Sequence, residues 1–363
     1  MIIKYLASWG HAVILACYSC LLQFKIIKKH SFNVPVISVG NIVLGGSGKT
    51  PFVLFLSRLL TQKNISHVII SRGYKKKIRG SVLVHDGKQC LVRSPDECGD
   101  EPFMLAAQLK SVPIIVNEKK SLAIKLAIKR FNPKIIILDD GFQSRYIANK
   151  FNIVLFNLLD EQKDLFLFPF GKLREPIESL QRADVVVLTK KELANEQGSE
   201  HKRALLSFLK TKQIPCFSSH LHFNLLQYQR RESSGVVAPI KLDSLSSHYR
   251  LFGCCGIGDP RSFQLALRPF AKQVVVFRSF SDHYNYIERA VVFLDLLKEL
   301  TQTHQINGLI TTYKDFVKIN SLGQDFNRWV AQNRFVFLVL DLELSLNSKD
   351  ERTTMKMIKN LIL

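Results

Sequence analysis

The feature that most constrains this chain is an apolar run followed by a glycine-rich loop and an apolar helical segment. Val34–Gly40 is rich in β-branched residues, and Pro51–Leu56 is typical of the first turns of a helix. Between them stands the loop Gly45-Gly46-Ser47-Gly48-Lys49-Thr50. Glycines let backbone N–H groups surround a polyphosphate, and a helix N-terminus adds positive partial charge. The order strand, glycine loop, helix therefore predicts a nucleotide site, with Lys49 on the phosphates and Thr50 on Mg²⁺.

This loop departs from the strict phosphate-loop pattern, because Val43 stands where the first glycine is expected. The alternative interpretation is a solvated glycine turn that happens to contain a lysine, and the flanking elements disfavour it. A second signal is the run Ile135–Leu138, which is typical of a buried strand and ends in Asp139-Asp140-Gly141. P-loop enzymes hold their metal ion with a carboxylate at such a strand end. Together the two motifs predict nucleoside triphosphate binding.

Short apolar runs alternate with helical segments over most of the chain. Strands are predicted at 67–71, 112–116, 135–138, 153–156, 185–189, 251–255, 273–277, 308–312 and 335–340. This alternation predicts an α/β fold, a P-loop NTPase-like domain with a mostly parallel sheet plus a second, smaller α/β domain. The expected division is an N-terminal membrane-associated helix at 1–30, the P-loop domain at 31–213, a two-stranded β-hairpin linker at 214–247, the second domain at 248–345 and a C-terminal helix at 346–363.

The charge balance favours an anionic partner. The chain of 363 residues carries a formal net charge of +21, more than solubility requires. The partner could be nucleic acid, an anionic membrane surface or a phosphorylated substrate, but no nucleic-acid recognition motif is found. A basic cluster runs from Arg72 to Arg79, and it is either a solvated loop or a loop that faces a phosphate.

The N-terminal segment is apolar and carries no acidic residue in residues 1–30. Trp9 and Tyr18 suit a headgroup boundary. A cleaved signal peptide is disfavoured. A single membrane span is possible, but polar residues interrupt the apolar run. A helix that packs on the core of the protein is a further alternative that the sequence does not exclude. The interpretation that suits the sequence best is an interfacial helix with a basic end.

Three other segments carry chemically useful side chains. Asp100 follows Gly99 before a helix expected near Phe103, where capping is the simpler interpretation. His283 follows Asp282, and a carboxylate can fix the tautomer of a histidine base. The loop 168–176 is either a surface turn or a substrate clamp, with Arg174 on a phosphate and Glu175 on a sugar hydroxyl or a metal.

The motifs, taken in order, resemble the tetraacyldisaccharide 4'-kinase family of Gram-negative bacteria over roughly residues 30 to 320. The matching segments are Val39-Gly40-Asn41, Gly45–Pro51, Ser71-Arg72-Gly73-Tyr74, Gly99-Asp100-Glu101-Pro102, Leu138–Gln143, Leu173-Arg174-Glu175-Pro176, Arg182-Ala183-Asp184, Gly256-Ile257-Gly258, Asp282-His283-Tyr284 and Thr312–Asp315. The ordered set is far more specific than any one motif.

The resemblance implies a lipid kinase that transfers the ATP γ-phosphate to the 4'-hydroxyl of tetraacyldisaccharide 1-phosphate, an anionic glycolipid, in lipid A biosynthesis. It implies ATP and Mg²⁺ as cofactors, no nucleic-acid partner and a monomer. It also implies two α/β domains with the active site in the cleft, and attachment through the N-terminal helix to the cytoplasmic face of the bacterial inner membrane.

The resemblance also implies roles for individual residues. Asp100 and His283 would form the catalytic pair, with Asp100 acting on the acceptor hydroxyl, and Asp140 and Glu175 would join the catalytic set. Thr50 and Asp139 would hold Mg²⁺, and Gly45, Gly46, Ser47, Gly48, Lys49 and Thr50 would bind the nucleotide phosphates. Arg72, Gln143 and Arg174 would bind the substrate.

Two competing hypotheses are open. One is a membrane-associated P-loop switch ATPase or GTPase, for which Thr189-Lys190-Lys191-Glu192 is weak support because Glu192 replaces the aspartate of a guanine-reading motif. The other is a basic nucleic-acid-binding protein, which would bind DNA with steep salt dependence.

Overall fold

The computed structural model describes residues 2–193, 200–228 and 239–362. The chain divides into two compact units. One unit comprises Met1–Leu221 together with Leu344–Leu363, and the other comprises His222–Glu343. The C-terminal helix therefore groups with the first unit.

The described segments contain the following helices and strands. The helices are α1 (Ile2–Gln23), α2 (Lys49–Gln62), α3 (Pro95–Cys98), α4 (Asp100–Gln108), α5 (Lys120–Phe131), α6 (Glu200–Thr211), α7 (Pro260–Ala266), α8 (Ala290–His304), α9 (Tyr313–Ile319), α10 (Gln324–Gln332) and α11 (Ser348–Ile362). The strands are β1 (Val36–Asn41), β2 (His67–Ser71), β3 (Val82–Asp86), β4 (Pro113–Val116), β5 (Ile135–Asp139), β6 (Lys150–Asn157), β7 (Val185–Thr189), β8 (Cys216–Tyr228), β9 (Pro239–Leu242), β10 (Leu251–Cys255), β11 (Val274–Ser279), β12 (Gly308–Thr311) and β13 (Val336–Leu346). Short 3₁₀ turns lie at Gln162–Asp164, Ile177–Arg182, Lys191–Leu193 and Arg268–Phe270.

The sheet of the first unit has the strand order β8-β7-β6-β1-β5-β2-β4-β3. Its neighbouring strands are parallel except for the pair β3 and β4. Strands β1, β2, β5 and β7 are buried along their whole length, as expected for a parallel sheet covered on both faces. Because β1 lies between β5 and β6, the segments that follow β1 and β5 meet at one edge of the sheet.

The predicted mostly parallel α/β fold is confirmed. Strands β2, β7 and β10 have the predicted bounds, and the other predicted strands differ by a few residues at their ends. Strand β3 was not predicted, because it is a short antiparallel edge strand within a polar stretch. The expected linker contains β8 and β9, which pair antiparallel from Leu225 opposite Leu242 to Tyr228 opposite Pro239. The turn between them, 229–238, lies outside the described residues.

The sheet of the second unit is parallel, with the strand order β11-β10-β12-β13. Two apolar clusters cover it, one centred on Phe252, Tyr286 and Phe293 and the other on Leu251, Ile310 and Leu338. This sheet places the ends of β10 and β12 side by side, so that the residues following them are neighbours.

Helix α1 is long and apolar enough to cross a membrane over Ile3–Gln23, and only 6% of its most apolar window is buried. Large apolar side chains on it are exposed, among them Leu6, Trp9, Val13 and Ile14. The interpretation of this segment as a core helix is therefore wrong. Its buried residues follow helical spacing instead, from Ser8 through half-buried His11 to Leu22.

Gly40 in β1 is required by a close approach of another segment. A Cβ atom at this position would lie 2.5 Å from Cβ of Phe142 and 2.9 Å from its backbone nitrogen. We expect Gly40→Ala to lower the free energy of unfolding by about 1–3 kcal/mol, because the buried backbone must shift to admit a methyl group. Urea denaturation of this variant beside Gly10→Ala checks this, since a Cβ at Gly10 meets nothing within 4 Å. Equal stability of the two variants would contradict the expected clash.

Candidate active site

The phosphate loop leaves β1 and turns directly into α2. Gly45 and Gly48 have φ angles of 113° and 85°, which side chains with a Cβ rarely adopt. Gly48 is the N-cap residue of α2, so the helix begins at Lys49 and its N-terminus lies at the loop. Ser47 and Thr50 are buried there. The predicted strand–loop–helix arrangement is thus present, and it presents backbone N–H groups and a helix dipole to an anion.

The end of β7 supports the phosphate loop through two hydrogen bonds. Thr189 Oγ1 donates to the carbonyl of Ser47 at 3.0 Å, and Lys190 Nζ donates to that of Gly46 at 2.5 Å. Thr189 and Lys190 are both buried. The sequence singled out this Thr-Lys pair only as a weak guanine-reading motif, whereas the structure places it against the backbone of the loop.

Lys49 lies between two strand ends. Its ammonium is 3.2 Å from Oδ1 of Asn41 and 3.5 Å from Oδ1 of Asp140. Its side chain is 12% exposed, so the charge is only weakly screened by water. The lysine of the loop and the carboxylate of Asp140, the first residue after β5, are therefore neighbours.

Two cationic side chains, Lys49 and Arg174, contact the carboxylate of Asp140. One guanidinium nitrogen of Arg174 donates to both carboxylate oxygens of Asp140 at 2.9 Å. Burial by itself raises the pKa of Asp140, but Lys49, Arg174 and Lys120 outweigh burial and hold this pKa well below its usual range. Gln143 accepts from Arg174 at 3.4 Å and donates to the carbonyl of Asn41 at 2.8 Å. Three predicted site residues thus form one hydrogen-bonded group beside Lys49.

Asp139 has one satisfied and one unsatisfied oxygen. It is buried, and its Oδ2 accepts from Ser71 at 3.0 Å. Its Oδ1 has no hydrogen-bond partner among the described residues. Burial, followed by the charges of Glu101 and Asp140, raises the pKa of Asp139 to about 7. A bound cation would both satisfy this oxygen and favour the ionised carboxylate.

Lys120 was missed by the sequence analysis. It is 4% exposed at the start of α5. Its ammonium donates to the backbone carbonyl of Asp139 at 2.8 Å and also to that of Asp140. In the sequence Lys120 stands beside Lys119 and resembles an ordinary surface lysine, because nothing local to it indicates burial.

Glu175 is buried against an arginine. Arg182 donates to Oε2 of Glu175, and its guanidinium also lies 4.1 Å from the ring centroid of Phe142. Oε1 of Glu175 has no hydrogen-bond partner among the described residues. The buried carboxylate of Glu175, directly after Arg174 in the chain, is thus held in place by Arg182.

Arg72 and Asp100 belong to two turns that touch each other. Arg72 is exposed directly after β2, and a Cβ at the following residue, Gly73, would lie 2.6 Å from the carbonyl of Cys98. Asp100 is the first residue of α4, so this helix starts earlier than expected. The N-cap is Gly99, with no side-chain capping hydrogen bond. The capping interpretation of Asp100 is therefore wrong, and its half-buried carboxylate lies in the first turn, which favours negative charge.

His283 belongs to the second unit and has a φ angle of 58°. Its Nε2 is 3.8 Å from Oδ2 of Asp282, and its backbone N–H donates to the carbonyl of Gly256 at 3.2 Å. Asp315 is fully buried and accepts from the N–H of Gly256 at 2.9 Å and from Oγ1 of Thr312 at 2.7 Å. The motifs around Gly256, His283 and Thr312 are thus gathered at the ends of β10 and β12.

Comparison with known proteins agrees with this arrangement. Residues 2–361 match the family described as tetraacyldisaccharide-1-P 4'-kinase, LpxK. The tetraacyldisaccharide 4'-kinase of Desulfotalea psychrophila is 35% identical over 326 residues, which cover 87% of each chain. That of Aquifex aeolicus is 35% identical over 280 residues, covering 76% of this chain and 81% of the relative.

A solved structure is also similar over nearly the whole chain. It is that of LpxK from Aquifex aeolicus in complex with ATP. The TM-score is 0.71 at 29% identity, with 99% of this chain and 98% of the other covered. Since the family match spans nearly every residue, the chain belongs to the tetraacyldisaccharide-1-P 4'-kinase family.

Proposed function

We propose that this protein transfers the γ-phosphate of ATP to the 4'-hydroxyl of tetraacyldisaccharide 1-phosphate in lipid A biosynthesis. The observation that carries the proposal is the contact of Lys49 in the phosphate loop with Asp140, which Arg174 also binds. This contact joins the nucleotide motif to the predicted substrate clamp. The family and its named relatives supply the identity of the acceptor.

The residues present suit Mg²⁺. The unsatisfied Oδ1 of buried Asp139 and the buried Thr50 offer oxygen ligands. The described residues contain no cluster of three or more His, Cys, Asp or Glu side chains for a metal. Mg²⁺ does not need one, because it takes one or two protein oxygens together with waters and substrate phosphates. We assign Thr50 and Asp139 as its ligands. When bound, Mg²⁺ would neutralise charge on the phosphates.

Transfer to an alcohol also requires a proton acceptor. The acceptor oxygen attacks the γ-phosphorus, the bond from phosphorus to the bridging β–γ oxygen breaks, and ADP leaves. The proton of the hydroxyl goes to the carboxylate of Asp100, and His283 is assigned as the second member of the pair. The resemblance of both motifs to those of the family supports these roles.

The lipid part of the substrate has a groove to enter. A cavity of about 380 Å³ lies between α1 and the loop after β6, and Tyr5, Trp9, Phe166 and Phe170 are among the residues that line it. Glu175 and Gln143 provide polar groups for the sugar, while Arg174 and Arg72 provide cations for its phosphate. Apolar and cationic surfaces on one unit are what an anionic glycolipid requires.

We further propose that the protein is a monomer on the cytoplasmic face of the bacterial inner membrane. The exposed apolar side of α1, together with exposed Phe166, Phe168 and Phe170, supports seating on a bilayer. The chain's net charge of +21 supports attraction to anionic lipid.

The test is incubation with γ-labelled ATP and a panel of glucosamine lipids. We expect label in a new phosphomonoester of the tetraacyldisaccharide 1-phosphate, because that lipid combines acyl chains, a sugar hydroxyl and a phosphate, for which the site offers apolar, polar and cationic groups. Chromatographic separation of lipid from nucleotide checks this. Release of inorganic phosphate without labelled lipid would instead favour a switch ATPase or GTPase.

A further inference from the structure

The inward side of α1 carries three polar side chains among apolar ones such as buried Leu22, although the helix as a whole is apolar. Ser8, His11 and Ser19 lie on the buried side, three or four residues apart or a multiple of that. The opposite side carries Leu6, Val13 and Ile14, which are more than half exposed. A helix whose only task was attachment would need no polar side toward the protein, so these side chains require an explanation in their contacts.

Two of these polar side chains bind backbone carbonyls of the loop 165–174. Ser8 Oγ donates to the carbonyl of Leu167. His11 Nε2 lies 2.9 Å from the carbonyl oxygen of Arg174. Because a carbonyl can only accept, Nε2 of His11 carries the proton in this contact. The third, Ser19 Oγ, accepts from Arg145 at 2.7 Å.

The same loop is hydrogen-bonded to the segment that leads from β1 into the phosphate loop. The N–H of Arg174 donates to the carbonyl of Ile42 at 2.7 Å, and the N–H of Leu44 donates to the carbonyl of Lys172 at 2.7 Å. Arg174 is thus fixed at its N–H by this entry segment and at its carbonyl by His11. Its guanidinium holds Asp140, which in turn contacts Lys49. Hydrogen bonds through Arg174, followed by one ion pair, therefore connect α1 to the lysine of the nucleotide site.

From these contacts we infer that His11 is a positioning residue of the kinase, and that α1 fixes Arg174 and the entry of the phosphate loop in addition to contacting lipid. The inference rests on the proposed function for its kinetic consequence. Its structural consequence, ordering of the loop 165–174 by α1, does not. Loss of the His11 hydrogen bond frees one side of Arg174, while the exposed apolar side of the helix is unchanged.

The test compares His11→Ala, His11→Gln and Cys17→Ala, the last an exposed position on the same helix. In mixed micelles saturated with the disaccharide lipid, His11→Ala should lower kcat about three- to tenfold, the rate equivalent of one lost hydrogen bond. His11→Gln can donate to the same carbonyl and should restore most of the rate, and Cys17→Ala should match the parent. Binding to vesicles of phosphatidylethanolamine and phosphatidylglycerol should be equal for all four proteins.

Hydrogen exchange supplies a readout independent of catalysis. The amides of Phe168, Leu173 and Arg174 are bonded within or beside this loop, and they should exchange about three- to tenfold faster in His11→Ala. Unchanged exchange and unchanged kcat would overturn the inference, as would a fall in kcat matched by an equal loss of vesicle binding. If the parent phosphorylates no lipid, the proposed function fails, and the exchange result still decides whether α1 positions the loop.

Discussion

Asp100→Asn should lower kcat by about 10²- to 10⁴-fold and leave the KM for ATP nearly unchanged. The amide keeps the size of the side chain but cannot accept the hydroxyl proton. Urea denaturation of the variant measures separately any change in stability. Steady-state kinetics with saturating lipid and varied ATP measures both constants.

The matched control for this variant is Asp96→Asn. Asp96 is also a carboxylate near the start of a helix, but its side chain is 49% exposed and pairs with exposed Lys77. Surface pairs of this kind contribute little, so activity should stay near that of the parent. An Asp100→Asn enzyme with parental kcat would remove Asp100 from the proton-transfer step.

His283→Ala should lower kcat more than it raises the KM for ATP.

Lys49→Ala should lower kcat by about 10²- to 10³-fold, since the lysine supplies positive charge to the transferred phosphate in a site shielded from water. Its side chain is only 12% exposed and already lies 3.5 Å from the carboxylate of Asp140. Removing it leaves Asp140 bound to Arg174, so the fold should persist. Single-turnover transfer of labelled phosphate, with urea denaturation as a check on folding, measures the effect.

Lys63→Ala is the control for the second variant. Lys63 is the exposed C-cap residue at the other end of α2, so its loss changes the net charge equally without touching the phosphate loop. Equal activity of the two variants would mean that bulk charge, and not a phosphate contact, explains the role of Lys49. A near-parental rate for Lys49→Ala would refute the phosphate-loop assignment itself.

Local patterns predicted much of the fold. The buried strands β2, β7 and β10 are predictable from short, mainly apolar runs, because a strand covered on both faces is mostly apolar along its length. The phosphate loop was also predictable from a local pattern, because its glycines, lysine and threonine are adjacent in sequence. Gly45 and Gly48 do adopt positive φ angles. Strand β3 was missed, since an edge strand among polar residues has no such pattern.

Long-range contacts of polar groups were not predictable from local patterns. Lys120 and His11 have no distinguishing neighbours in sequence, yet buried Lys120 binds the backbone carbonyl of Asp139 and His11 binds that of Arg174. Capping was the simpler interpretation of Asp100, and the structure gives the N-cap position to Gly99 instead. Whether a polar side chain is buried depends on what packs over it, which periodicity does not encode.

By itself the sequence determined the α/β class, the phosphate loop and the apolar character of the N-terminal helix, because each depends on residues that are neighbours in the chain. The tertiary structure alone decided that Arg174 would meet Asp140 beside Lys49, and that His11 would meet the backbone of Arg174. Those contacts depend on strand order, with β1 placed between β5 and β6. Hydrophobic burial favours each strand but does not specify which strands lie beside it. Many strand orders therefore satisfy the same apolar pattern, and only the folded chain selects one.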